Sequence, residues 1–106
     1  NGKLDGQKLL SRKTIEMMTC DHLSGNMHPY EQKGVGFGLG FSVVTDLAQS
    51  GIPGSEGAYR WGGAASTTFW IDPKEELIAI LMTQLLDNHH PFLSQFRVLT
   101  YQTIID

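Results

Sequence analysis

The chain has 106 residues, 41% of them hydrophobic and 18% charged, with eight basic side chains against eleven acidic ones and a formal net charge of -3. That length fits a single domain, residues 1–106, and the mildly acidic balance without a basic stripe excludes the electrostatic footprint of a nucleic-acid binder. The longest apolar run, residues 77–82, is strand-sized and falls far short of the roughly 18 residues of a membrane span. Cys20 stands alone, so no internal disulfide forms. The chain begins at Asn1 without a Met, and its localisation stays open.

Residues 1–10 are polar and glycine-bearing. Ser11 is a candidate N-cap, and the stretch from Arg12 to Cys20 puts Ile15, Met18 and Thr19 on one face, which predicts a short helix. Thr14 stands where a capping box would carry Glu or Gln, so the cap is single. Residues 21–33 lack periodicity and read as a loop. In residues 34–44, Val35, Phe37, Leu39, Phe41 and Val43 alternate with four glycines and Ser42, the period of a strand. Its glycine face is almost bare backbone and predicts close approach by a neighbouring layer. Residues 45–57 form a connection.

A second strand is predicted through residues 58–71, with Gly62 and Gly63 in its middle. Glycine inside a strand weakens it and marks a bulge or the close approach of a ligand or backbone. Alternation puts Arg60 and Gly62 on one face and Tyr59, Trp61 and Gly63 on the other, unless a bulge breaks the register. Asp72-Pro73-Lys74-Glu75 reads as a turn. Residues 77–84 predict a strand covered on both faces. After a polar link, Pro91 fits the first turn of a helix whose face carries Phe92, Phe96, Leu99 and Thr103. The expected fold is α+β, an antiparallel three-stranded sheet flanked by N- and C-terminal helices.

Several catalytic patterns fail on inspection. The glycines of residues 34–40 lack the register, the Lys and the following helix of a phosphate loop. His22, His28, His89 and His90 have no zinc-motif spacing, and Cys20 with His22 falls short of four ligands, so no metal site is expected. There is no G-x-S-x-G, S-x-x-K or Lys-Thr-Gly; Ser24-Gly25-Asn26 alone fits a chance S-x-N. A complete hydrolytic machine is therefore not expected in these residues.

Taken in order, Gly36-Phe37-Gly38-Leu39-Gly40-Phe41, Trp61-Gly62-Gly63-Ala64-Ala65-Ser66-Thr67, Phe69-Trp70-Ile71-Asp72-Pro73 and Leu81-Met82-Thr83-Gln84 form a recognisable series. With Leu4-Asp5-Gly6 and residues 9–18 before them, they resemble the C-terminal part of serine beta-lactamase-like hydrolases. The branch they resemble is the class C beta-lactamase and family VIII carboxylesterase group. The resemblance implies a partial beta-lactamase/transpeptidase-like fold whose Ser, Lys and Tyr catalytic residues lie in an N-terminal catalytic region outside this segment. It implies that Trp61-Gly62-Gly63 stands where many relatives have Lys-Thr-Gly. It also implies that the backbone N–H of Ala64 is one of two oxyanion-hole donors. Such donors stabilise the charge that acyl transfer builds on the carbonyl oxygen, and losing one costs about 3–4 kcal/mol.

Trp61 departs from the family's Lys, offering an apolar wall and one N–H in place of a cation. That favours a small ester over a lactam as substrate, with Trp61 as pocket wall rather than core aromatic. No cofactor is implied. The expectation is a fragment of an acyl-serine hydrolase, inactive alone. The alternative is a non-catalytic binding or association module with a degenerate half-fold; a metal-linked loop protein is a distant third. Exposed strand edges and apolar surface predict a homo-oligomer.

Overall fold

The structure, a computed structural model, describes residues 2–105. At the N-terminus, β1 (Lys3–Leu4) and β2 (Gln7–Lys8) form a small antiparallel ribbon around Asp5-Gly6. Both turn residues have positive φ, 47° and 78°, as an Asp-Gly hairpin turn requires. The helix α1 (Arg12–Thr19) follows, and Ser11 Oγ accepts the Thr14 N–H at 3.0 Å as its cap. Ile15, Met18 and Thr19 are the half-buried residues of α1, the face expected from the spacing.

The main sheet has five antiparallel strands in chain order: β3 (Val35–Phe37), β4 (Ser42–Val44), β5 (Tyr59–Gly62), β6 (Thr68–Asp72) and β7 (Leu77–Leu81). The expected three strands become five because two segments read as single strands are hairpins. Residues 34–44 fold back at Leu39-Gly40, where the Gly38 N–H donates to Phe41 O at 2.7 Å and Gly40 takes φ 100°. The pairing Val35↔Val44 then leaves Val43 on the opposite face from Val35, so the five alternating apolar residues do not share one face. Close approach at the glycines does occur: a side chain at Gly36 would overlap the Asp21 carboxylate, and one at Gly38 the Met18 carbonyl. Leu39 N–H donates to that carbonyl at 2.9 Å, and His22 N–H to Phe37 O at 2.9 Å.

The second hairpin turns at Ala64-Ala65-Ser66. Ser66 N–H donates to Gly63 O and Gly63 N–H to Thr67 O, both at 3.0 Å, with Ser66 at φ 61°. This is a three-residue loop with its bulge at the left-handed residue. The bulge lies at Ser66, beyond the two glycines, so the register of β5 survives through Gly62↔Thr68. A short helix, α2 (Leu47–Ser50), interrupts the expected connection; Asp46 Oδ1 caps it by accepting the Gln49 N–H at 2.9 Å.

The C-terminal helix α3 (Phe92–Gln102) covers one face of the sheet. Its anchor is Trp70, 1% exposed, with Phe96 edge-on at 5.4 Å and Tyr101 stacked at 6.1 Å. Tyr101 O–H donates to the fully buried Asp72 at 2.9 Å. Arg97 replaces Leu99 on the buried stripe. Its guanidinium lies 5.2 Å from the Trp70 ring and 5.9 Å from Tyr101, and its Nε donates to Pro53 O at 2.9 Å. Leu99 faces outward, 61% exposed. On the other face, Phe41 packs on Tyr59 and Phe69, at 5.3 and 6.2 Å. Beyond them β7 is open: Ile78 and Ile80 are 65% and 61% exposed, so this strand is covered on one face only.

Candidate active site

β4 pairs with β5 only at Val43↔Tyr59 and Ser42↔Arg60. β5 runs on past the end of β4, so Trp61 and Gly62 are paired on the β6 side alone. Backbone groups alternate direction along a strand. Gly63 points at Thr67, and Arg60 O points at β4, where Ser42 Oγ donates to it at 3.2 Å. Gly62 shares the direction of Arg60, so its N–H and C=O face the open slot beyond β4. Ala64 occupies the first corner of the hairpin loop, exposed, and its N–H has no acceptor among the described residues.

The slot opens on a groove of about 460 Å³ between the β5–β6 hairpin, the 29–32 loop and the start of α3. Trp61, Gly62 and Gly63 line it; Ala64 stands at its end, outside the lining. The Trp61 ring is 38% exposed, with Phe37 edge-on at 5.1 Å. Arg60 also lines the groove, which settles its direction: inward, on the α3 face with Gly62. Burial pushes its guanidinium below its ordinary pKa.

The close approach at the glycines has a local cause too. A Cβ on Gly63 would stand 2.5 Å from Thr67 Oγ1, and one on Gly62 3.0 Å from Thr67 O. The hairpin's own returning strand therefore occupies part of the space.

Tyr30 is a site residue that the sequence reading missed. Its ring stacks over Trp61 at 6.5 Å and 29°, at the groove mouth, and is 88% exposed. Tyr30 and Glu31 both hold left-handed backbone, φ 52° and 58°, at a cost of about 1–2 kcal/mol each. Backbone strain of this kind clusters at functional sites. The Pro29–Glu31 turn is tied down by Glu31 N–H to His28 O, and His28 Nδ1–H donates to Val35 O at 3.1 Å. Nothing in residues 21–33 announces this contact, because it depends on where the loop lands.

Both serine hydroxyls of the groove are engaged as donors: Ser42 to Arg60 O, and Ser66 to Leu85 O at 2.7 Å. Among the described residues no Lys, His, Asp or Glu lines it. The lining thus offers backbone donors, an aromatic wall and a cation, and it holds no nucleophile–base pair. The histidines lie elsewhere; His22 Nε2–H donates to Met17 O at 2.7 Å, and Cys20 Sγ is 3.5 Å from the same nitrogen. Among the described residues no three His, Cys, Asp or Glu side chains gather as metal ligands.

A five-stranded antiparallel meander with a helix on one face is the layout of one part of a beta-lactamase-like serine hydrolase fold. Residues 2–102 match the family model described as Beta-lactamase, and the chain belongs to that family. It is 35% identical over 103 residues to "Uncharacterized protein MT1414" of Mycobacterium tuberculosis (strain CDC 1551 / Oshkosh). The same identity holds for "Protein Rv1367c" of Mycobacterium tuberculosis (strain ATCC 25618 / H37Rv). Each alignment covers 89% of this chain and 25% of the relative, so the chain spans about a quarter of the length of the curated relatives it matches. Among solved structures, "EstCE1, a hydrolase with promiscuous acyltransferase activity" superposes with a TM-score of 0.78 at 24% identity. That match covers 91% of this chain and 26% of the neighbour, and it establishes the likeness of fold.

Proposed function

We propose that this chain supplies the oxyanion wall of an acyl-serine hydrolase acting on small esters. The nucleophile and its base would come from the part of the domain that the relatives have beyond this length. The observation that carries the reading is the free edge of β5. Gly62 directs its backbone groups into the slot, and the unpartnered Ala64 N–H follows it at the hairpin corner. Preorganised N–H donors beside a groove are what a developing oxyanion needs. Trp61 puts an apolar wall where a Lys-Thr-Gly strand carries its Lys, which favours an ester over a lactam; the cation of this groove, Arg60, comes from the other face of β5.

Intact-mass spectrometry after incubation with a fluorophosphonate, and separately with a penicillin, tests the division of labour. These 106 residues are expected to take no adduct from either reagent. A stoichiometric adduct on any Ser would overturn the reading, because it would place a working nucleophile inside this chain. A second reading, a non-catalytic association module, is favoured by the open β7 with Ile78 and Ile80 exposed.

A further inference from the structure

Beside the groove, between the sheet and the first turns of α3, lies a second cavity of about 380 Å³ that shares Arg60 and Gln32 with it. Arg97 and Trp70, 6% and 1% exposed, also line this cavity. Arg97 Nη2 and Trp70 Nε1 are buried donors with no acceptor among the described residues. The Arg60 guanidinium reaches one neutral acceptor, Gln32 Oε1, at the long distance of 3.5 Å. Neither arginine joins an ion pair; those among the described residues bind Arg12 and Lys13 to Glu16.

Among the described residues no Asp or Glu lines the cavity. The buried carboxylate nearby, Asp72, is already engaged. Its Oδ2 accepts from Tyr101 O–H, and its Oδ1 from the N–H groups of Lys74 and Glu75 at 3.1 and 3.4 Å. Among the described residues, two guanidinium groups against one carboxylate leave a local surplus of one positive charge. Uncompensated charge away from water is costly, and an anion placed between the two arginines lowers that cost.

We infer that this cavity binds a small organic monocarboxylate, its oxygens between Arg60 and Arg97 and its apolar part against Ile52, Pro53, Leu93 and Val98. A planar guanidinium fork matches a planar carboxylate. A surplus of one charge matches a monoanion, and a dianion such as phosphate would overcompensate it among apolar walls. The site is independent of the acyl-transfer reading, since it uses neither Ala64 nor a nucleophile.

The test is an NMR titration of the whole chain with benzoate, benzamide and inorganic phosphate, reading the two indole N–H resonances. Benzoate is expected to shift Trp70 saturably and leave Trp61 in place, while neutral benzamide and phosphate leave Trp70 unmoved. Arg60→Gln is expected to weaken benzoate by about tenfold or more, as loss of a charge-assisted contact does. Arg60 is half-buried with a single long contact, so this variant keeps its fold. Arg97→Lys, which keeps the charge and loses the fork, is expected to weaken benzoate as well. The inference fails if Trp70 shows no saturable shift, if benzamide binds equally, or if Arg60→Gln leaves the affinity unchanged. Phosphate binding as tightly as benzoate would overturn the assignment to a monocarboxylate.

Discussion

Ala64 sits at the second position of a β-turn, where proline fits without strain. Ala64→Pro therefore deletes the N–H and keeps the hairpin, which separates chemistry from folding. In this chain alone, urea denaturation is expected to show stability unchanged or raised by about 0.4–1 kcal/mol. In a chain that joins these residues to the remaining three quarters of a relative's domain, kcat for an ester is expected to fall by about 100- to 1000-fold. An unchanged kcat would remove Ala64 from the oxyanion hole. Gly63 makes a purely structural case. Gly63→Ala is expected to cost about 1–2 kcal/mol through its clash with Thr67 Oγ1, and most of that cost should vanish in a Thr67→Ala background. The unusual glycines were visible in the bare sequence. That Thr67 fills part of the space beside them was not, because it depends on a turn placed between residues only four apart. Tyr30 was invisible for a related reason: its contact with Trp61 joins a loop to a strand distant in sequence, with no shared pattern.

Both helices at the ends of the chain were legible because each carries its own local signal, a serine cap for α1 and a proline start for α3. The strands were half legible. The alternation in the sequence runs unbroken through the tight turn, so Val35 to Val43 reads as one strand although the chain reverses at Gly40 and puts Val43 on the opposite face from Val35. Likewise Ser66 gives no glycine signal for its left-handed backbone. Its hydroxyl holds it there by donating to Leu85 O, and Ser66→Ala is expected to lower stability by about 1 kcal/mol in chemical denaturation. On α3, burial and the bond to Asp72 push the Tyr101 hydroxyl up to about 12 from its ordinary 10.0. The folded state therefore holds this proton more tightly than the unfolded one. Its contribution is complete below pH 10 and declines as pH rises toward 12. Tm should fall across that window, and Tyr101→Phe should flatten the fall. At neutral pH the same variant is expected to cost about 1–3 kcal/mol, because Asp72 Oδ2 loses its donor.

At the scale of the molecule, β7 ends the sheet with no neighbour beyond it, and Ile78, Ile80 and Met82 are 65%, 61% and 77% exposed. An edge of this kind invites pairing with another chain. We expect the chain to sediment as a dimer or larger species at high concentration and to bind an apolar dye. Ile80→Lys should move the population toward monomer, since a charge on an edge strand opposes pairing. A monomer without dye binding would sink this expectation. The family was legible in the sequence through the order of its words. The fragment reading of the sequence predicts an open apolar face at residues 35–43 or on the flanks of residues 77–84; Val35 and Val43 are buried, while Ile78 and Ile80 are exposed.

The end of β4 at Ser42 has a reach beyond its own hairpin. Two more paired residues there would set Phe41 against Trp61 and Gly40 against Gly62, and the Gly62 N–H would be sealed in the ladder. The aperture beside the Trp-Gly-Gly strand is therefore gauged by the reversal at Leu39-Gly40, twenty-odd residues upstream and remote from any chemistry. Moving that reversal by two residues would act like a shutter, closing the slot without altering a single group inside it.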